Sequence, residues 1–76
     1  MNNFEFNGVV TDIKSFAKCY VYQLQRGNTF VDITSFEPKE IQKGDSVSVK
    51  GYISSRFYEP SGRHFMSLIA QTITRN

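Results

Sequence analysis

The sequence contains one cysteine and no tryptophan. A single cysteine excludes a disulfide within the chain and a metal site built from cysteines, and it is typical of proteins from a reducing, cytoplasmic compartment. A charged and then apolar leader is missing, as is an apolar run of membrane length, so the sequence predicts neither secretion nor a membrane-spanning helix. Without tryptophan, any stacking on this protein has to use phenylalanine or tyrosine.

The chain is short but rich in aromatic residues. Its 76 residues predict one domain, residues 1–76, and a domain of this size buries only about 60% of its unfolded surface. We therefore expect a homodimer or homotetramer that adds stability, with the first strand or an exposed edge as the seam. The net charge of +2 is compatible with a polyanionic partner. Seven phenylalanines and four tyrosines are more rings than this core can enclose comfortably.

Alternation of polar and apolar residues predicts a protein made of strands. Two short turns, "RGNT" and "EPSGR", separate the second strand from the third and the fourth from the fifth. The segment "EPKEIQKGD" between the third and fourth strands has room for at most one helical turn. Gly8 and Gly51 are typical of bulges or sharp coils that let long strands close. The sequence therefore predicts an all-β, five-stranded small barrel, with strands near residues 3–13, 18–25, 29–36, 46–58 and 64–73.

The third strand, "TFVDITSF", carries aromatic side chains on the side that should face water. Val31 and Ile33 share one parity, which indicates the core, whereas Asp32 shares the other parity with Phe30 and Phe36. Two phenyl rings on the wet face of a strand indicate a role other than burial in the core.

The turn between the second and third strands sets which residues face each other. If the central "GN" is the turn pair, the register of the two strands follows directly. Tyr22, like Tyr20, is then expected in the core or at its rim. The expected cross-strand pairs are Leu24–Val31 and Tyr22–Ile33 inside, with Gln25–Phe30 and Gln23–Asp32 outside.

The fourth strand repeats the pattern of the third. Val47, Val49 and Ile53 indicate the core, and the opposite parity carries two basic residues and two rings: Lys50, Tyr52, Arg56 and Tyr58. Rings interleaved with lysine and arginine make a stacking platform in a positive field. Each base stacked on such a ring contributes roughly 1–3 kcal/mol, and arginine adds cation–π or phosphate contacts. The pattern favours single strands over duplex DNA, which calls for a basic recognition helix.

The same aromatic face is also compatible with a second class of function. It could be a subunit interface or the binding surface of a protein-interaction module. Lysine and arginine among the rings argue against a dry protein interface, which tends to exclude lysine from its centre. RNA stays open as a ligand because stacking does not distinguish the two sugars.

No catalytic or cofactor site emerges from the residue pattern. The single histidine, His64, has no obvious cysteine or serine partner, and the acidic residues lack the paired spacing of acid–base catalysis. The tripeptide "KGD" lacks the glycine-rich run that precedes the lysine of a phosphate loop. We therefore expect a protein that is not an enzyme and that uses no metal or cofactor.

Three segments resemble the OB-fold core of bacterial single-stranded DNA-binding proteins: "FNGVVTDI", "TFVDITSF" and "IQKGDSVSVKGYISSRFYEPSGRHFMSLIAQTI". The resemblance covers residues 4–73, and it is strongest in the segment "KGDSVSVKGYISSRFYEPSGR". In that family aromatic residues open and close the third strand, and a tryptophan follows the arginine-containing end of the fourth. The resemblance places these stacking positions on Phe30, Phe36 and Tyr58.

The sequence differs from this family in one loop and at its C-terminal end, and these differences limit which properties of the family can be expected here. The long basic loop between the second and third strands is reduced to "RGNT", and the sequence ends at "TRN" without the family's acidic tail. We therefore do not expect tail-mediated recruitment of partners. A tailless, single-domain chain resembles the primosomal OB protein and the compact binding proteins of phages and mobile elements. This resemblance implies a cytoplasmic protein of a bacterial host, either nucleoid-associated or encoded by a phage or plasmid.

The residues and the resemblance lead to one prediction of function. It is non-catalytic, sequence-independent binding of single-stranded DNA in replication, recombination or repair. The rings expected to stack bases are Phe30, Phe36, Tyr52 and Tyr58, and the cations expected to meet phosphates are Lys50, Arg26, Arg56 and Arg63. The alternative is a protein-interaction module, such as a replication or primosome accessory, whose aromatic face contacts a partner or a second subunit.

Overall fold

The computed structural model describes residues 2–37, 40–58 and 62–76, without the side chains of residues 56–58 and 63–65. This part of the chain forms strands and turns, which confirms the all-β prediction, and it contains no helix long and apolar enough to cross a membrane. The described residues between the third and fourth strands form no helix. The strands are β1 (Asn3–Ser15), β2 (Tyr20–Arg26), β3 (Thr29–Ser35), β4 (Ser46–Tyr58) and β5 (Arg63–Arg75).

The strands close into a barrel in the order β1-β2-β3-β5-β4. Neighbouring strands are antiparallel except for β3 and β5, which run parallel and pair through Ile33–Leu68 and Thr34–Ile69. The long first strand closes the barrel because its first half pairs with β4 and its second half with β2. A five-stranded closed barrel with this connectivity is an OB fold, as the sequence resemblance implies.

β1 changes its partner from β4 to β2 directly after Gly8. A β-carbon on Gly8 would lie 2.8 Å from the carbonyl oxygen of Gln25 and 2.9 Å from the ring of Phe6. Glycine therefore allows the close approach of the strands at this bend. The bulge of β1 lies three residues later, at Thr11, where the register with β2 shifts by one residue.

The β2–β3 hairpin has the predicted register. Its turn begins at Gly27, which has a φ of 59°, as expected for a two-residue turn with glycine in the first position. The observed pairs are those expected from the sequence: Leu24–Val31, Tyr22–Ile33, Gln25–Phe30 and Gln23–Asp32. This register places the ring of Phe30 outside the barrel.

The barrel interior is filled by buried hydrophobic side chains: Phe6, Val10, Tyr22, Leu24, Ile33, Val47 and Val49. The ring of Tyr22 stacks with that of Tyr20, with centroids 6.5 Å apart and planes inclined by 22°. Burial raises the pKa of Tyr22 above its ordinary value of 10.0, and the neighbouring Tyr20 raises it further. Both tyrosines therefore belong to the core and its rim, as predicted.

A bulge in β5 decides which way the side chains of this strand point. The register with β4 skips Gln71, which is the extra residue of the bulge. On the N-terminal side of the bulge, Ala70 and Leu68 pack against the core, whereas Ile69 between them points to the outer side of the barrel wall, where it is buried under neighbouring side chains. The bulge stands opposite Gly51, where a β-carbon would collide with the backbone carbonyl of Ile69.

Candidate nucleic-acid interface

Two exposed phenylalanines mark the ends of the outer face of β3. Phe30 lies next to the hairpin and is 55% exposed, and Phe36 follows the last residue of the strand and is 59% exposed. At about 3.3 Å per residue, the two residues are about 20 Å apart. Both rings face solvent, as the alternation in this segment predicts.

The outer surface of β1, β2 and β3 beside these two rings is polar and carries charges of both signs. Asp32 lies two residues from Phe30 on the same face and borders a small cavity of about 60 Å³. Asp12 and Lys14 also line this cavity. The cations to which the sequence assigns the positive field of the platform are not among the residues of this cavity.

The bend that carries Phe36 is held by a hydrogen bond. The buried hydroxyl of Ser35 donates to the backbone carbonyl of Glu37 at 2.9 Å. Ser35 also ends β3, where it pairs with Tyr20 of β2. The bond thus spans Phe36 and fixes the backbone on both sides of this residue.

An outward-facing row of side chains joins β3, β5 and β4 beside Phe36. In this row Ile69 pairs with Thr34 on one side and with Tyr52 on the other. Ile69 is only 8% exposed, although it does not belong to the core cluster. Neighbouring side chains therefore cover it on the outer wall of the barrel.

Two cavities flank this row, and Phe36 and Ile69 line both of them. The first has a volume of about 280 Å³ and extends toward Tyr52 and Gln71. The second has a volume of about 240 Å³ and is bordered further by Cys19, Thr34, Ser54 and Ser67. Two of the predicted stacking rings, those of Phe36 and Tyr52, are therefore brought to the same cavity.

Lys50 lies on a different part of the barrel wall from Phe30. It pairs with Glu5 of β1, and both line an open groove of about 440 Å³ that also includes Asn3. Gln71 lines this groove as well as the cavity beside Tyr52. Lys50 is therefore connected to the aromatic row through the bulge of β5 and not through the outer face of β3.

Arg26 lies toward the end of the barrel and not along the outer face of β3. It shares the parity of the buried Leu24, and its guanidinium carbon is 4.7 Å from the centroid of the Phe6 ring. This cation–π contact places the charge on the opposite side of the hairpin from Phe30. The positive charge of Arg26 suggests a phosphate contact. Its position follows from the alternation of side chains along β2, which places Arg26 on the same side of the strand as Leu24.

Three predicted site residues have side chains outside the described residues: Arg56, Tyr58 and Arg63. Their backbones belong to the ribbon of β4 and β5, in which Tyr58 pairs with Arg63. Their roles as one stacking ring and two phosphate contacts stay predictions.

Ile69 and Cys19 are residues of this surface that sequence reasoning missed. Ile69 shares its parity with Ile73, which packs against the core, so simple alternation predicts both inside. The bulge at Gln71 reverses the direction in which the side chain of Ile69 points. In the sequence, the glycine opposite the bulge, Gly51, is the residue that could have indicated it. Cys19 belongs to the turn between β1 and β2 and lines the cavity beside Phe36. Polar–apolar alternation predicts the facing of residues in strands only, so it could not place a residue of a turn.

The chemistry of this surface suits binding of flat rings. The part of the chain described here holds no group of three or more histidine, cysteine or carboxylate side chains that could bind a metal ion. Its ion pairs, Lys43–Asp12 at 3.6 Å and Arg75–Asp45 at 3.8 Å, lie outside the cavities beside Phe36. Exposed rings beside a covered apolar strip offer stacking surfaces, and the hydroxyl and amide groups at the rim offer hydrogen bonds.

Comparison with solved structures finds similar barrels, among them the following three. A chain of a Replication Protein A heterotrimer bound to ssDNA matches with a TM-score of 0.76 and 19% identity, covering 100% of this chain and 58% of that one. A chain of the S. pombe Stn1–Ten1 complex matches with a TM-score of 0.76 and 15% identity, covering 100% and 59%. Rim1, a mitochondrial single-stranded DNA-binding protein of S. cerevisiae, matches with a TM-score of 0.74 and 16% identity, covering 97% and 91%.

These likenesses define the class of protein by its fold, a small OB barrel. The chain spans 58% and 59% of the first two chains it resembles, and 91% of Rim1. The sequence matches no protein-family profile and no curated protein sequence. At identities below 20% the likeness carries the fold, and the function has to be argued from the surface.

Proposed function

We propose that this protein binds single-stranded DNA without dependence on sequence and without catalysis. The observation that carries the proposal is the pair of exposed rings, Phe30 and Phe36, at the two ends of the outer face of β3. Similar barrels occur in Rim1 and in a Replication Protein A heterotrimer bound to ssDNA, which supports the same class of ligand here. Exposed rings offer a stacking surface to any base, because every base has a flat face.

In the proposed complex, bases stack on the rings while cations contact the phosphates. The stacking rings are Phe30, Phe36, Tyr52 and Tyr58, and the phosphate contacts are Lys50, Arg56 and Arg63. Arg26 is a fourth proposed phosphate contact, and its exposed guanidinium lies over the Phe6 ring at the barrel end.

The strength of stacking argues for more than one copy of the domain on a strand. Bases stacked on three of the four rings contribute about 3–9 kcal/mol before the cost of association, whereas a micromolar complex needs about 8 kcal/mol. Two or more linked copies gain from effective concentration, so the proposed state is a homodimer or homotetramer. The proposed setting, with the sequence resemblance as support, is DNA replication, recombination or repair in the cytoplasm of a bacterial host.

A protein-interaction module is the second candidate function. The observation that favours it is the carboxylate of Asp32 on the outer face of β3 between Phe30 and Phe36, with the carboxylate of Asp12 bordering the same small cavity from β1, because carboxylates repel a phosphate backbone. In this alternative the rings contact a partner protein, and nucleic acid binds only weakly.

Fluorescence anisotropy of a labelled oligothymidine, titrated with the protein over a range of salt concentrations, tests the proposal. The expected result is binding of the single strand and not of a duplex of equal length, with a log–log salt slope of about −0.7 per phosphate contacted. The same titration with a labelled oligouridine compares the affinity of the protein for RNA with its affinity for DNA. Absence of binding at low salt would contradict the proposal and favour the protein-interaction module.

A further inference from the structure

We infer that the bound single strand leaves the outer face of β3 at Phe36 and continues across β5 and β4 to Lys50. The inference rests on the proposed function and adds the path of the strand, which the exposed rings alone do not define. We call this second part of the path the side groove, meaning the connected cavities lined by Phe36, Ile69, Tyr52, Gln71 and Lys50.

The side groove is continuous because neighbouring cavities share lining residues. Phe36 and Ile69 line both the cavity of about 240 Å³ and that of about 280 Å³. Gln71 lines both the cavity of about 280 Å³ and the open groove of about 440 Å³. The path therefore runs from Phe36, across the bulge of β5, to Lys50 on β4.

The lining of the side groove changes along this path in an order that suits nucleotides. Beside Phe36 the floor is the apolar side chain of Ile69, and Tyr52 supplies a second aromatic wall. Next comes Gln71, an exposed residue whose amide takes part in none of the hydrogen bonds of the described residues. An amide both donates and accepts, so it suits the edge of a base. The path ends at Lys50, whose ammonium group suits a phosphate.

Both parts of the proposed path carry charges of both signs. On the outer face of β3 the strand passes Asp32, which shares a cavity with Lys14, and in the side groove it passes Glu37 beside Phe36 before it reaches Lys50. Lys50 belongs to neither of the ion pairs in the described part of the chain, although Glu5 lies opposite it in β1. Its charge is therefore available to a phosphate, and Glu5 weakens the local positive potential.

Charge variants at the end of the side groove test the path with an oligothymidine of about twelve nucleotides, a length within the range of a single OB fold. Lys50→Ala is expected to weaken binding about threefold to fivefold and to reduce the magnitude of the log–log salt slope by about 0.7. Glu5→Gln is expected to strengthen binding by about twofold to fivefold, because a carboxylate next to the proposed phosphate is removed. A gain of affinity is a result that a purely structural role of Glu5 does not produce.

Matched controls make the same charge changes away from the side groove. Lys43→Ala, made together with Asp12→Asn, removes an exposed lysine and the carboxylate that it pairs with at 3.6 Å, and Glu40→Gln removes an exposed carboxylate in the same loop as Lys43. Both controls are expected to leave the affinity unchanged.

Two outcomes separate the path from the proposed function. If the oligothymidine binds with dependence on Phe30 and Phe36 but is indifferent to Lys50→Ala and Glu5→Gln, the path through the side groove is wrong and the proposed function stands. If the unaltered protein does not bind the oligothymidine, the proposed function and the path both fail.

Discussion

Gly51 of β4 lies so close to the backbone carbonyl of Ile69 in β5 that a β-carbon cannot fit between them. The approach occurs next to the bulge at Gln71, which turns Ile69 toward the outer surface. Gly51 in the barrel wall therefore influences, through the backbone of β5, the position of the Ile69 side chain beside Phe36.

Replacing this glycine should destabilise the protein. Gly51→Ala forces the strands apart at the bulge, and overpacking of this kind typically lowers the free energy of unfolding by about 1–3 kcal/mol. Urea denaturation followed by circular dichroism measures the change. Ser55→Ala, at an exposed position of the same strand, is the control and should stay within about 0.5 kcal/mol of the unaltered protein. Equal stability of the two variants would show that the bulge relaxes without cost.

Removing the ring of Phe30 should weaken binding and leave the fold intact. Phe30→Ala is expected to reduce the affinity for oligothymidine by about 1–3 kcal/mol, the contribution of one stacked base. Phe16→Ala is the matched control, because Phe16 is also 55% exposed but lies in the β1–β2 turn. An unfolded circular dichroism spectrum for Phe30→Ala would contradict the exposure of this ring.

Ser35 should influence binding through the position of Phe36. Ser35→Ala removes the hydrogen bond to the carbonyl of Glu37, which is expected to cost about 0.5–1.5 kcal/mol of unfolding free energy. It should also weaken binding of the oligothymidine, because the bend that carries Phe36 loosens. In a double-mutant cycle, Ser35→Ala should add no further loss of affinity once Phe36→Ala is present. Additive losses would mean that Ser35 acts on binding independently of this ring.

Tyr22 should make the protein less stable in alkali. Its pKa lies above 10.0 in the folded protein and near 10.0 in the unfolded chain, so the unfolded chain loses the proton first as the pH rises. Because the unfolded state then binds fewer protons than the folded state, the free energy of unfolding falls with increasing pH in this window. The contribution is fully present below pH 10.0 and is lost as the pH rises through the folded pKa.

Urea denaturation at about pH 9 and about pH 11 measures this loss. Tyr22→Phe has no phenol to ionise, so it should lose less stability than the unaltered protein between the two values. An equal loss in the two proteins would assign the effect to other groups.

Local sequence signals predicted the hairpin and the exposed rings of β3. A two-residue turn starting at Gly27 leaves one register for its flanking strands, so the pairing of Leu24 with Val31 follows from the turn alone. Once that register is set, alternation places Phe30 outside. These predictions succeeded because they depend on contacts between residues that are near in sequence.

Longer-range contacts account for what the sequence could not predict. The direction of Ile69 depends on the bulge at Gln71, which alternation in β5 does not reveal. The carboxylate opposite Lys50 belongs to Glu5, and the pairing of β1 with β4 joins residues from distant parts of the chain. A count of basic residues on one strand therefore does not give the local charge, because it omits what the neighbouring strands contribute.

The parallel pairing of β3 with β5 has a consequence for biosynthesis. β3 meets β5 at Leu68 and Ile69, so a nascent chain that has not yet extended this far leaves one side of β3 without its neighbour. An open strand edge with unpaired backbone groups is a template for association between chains. Ribosome pausing before Leu68 should therefore expose the unfinished sheet to aggregation, and a chaperone that shields this edge should raise the yield of native protein.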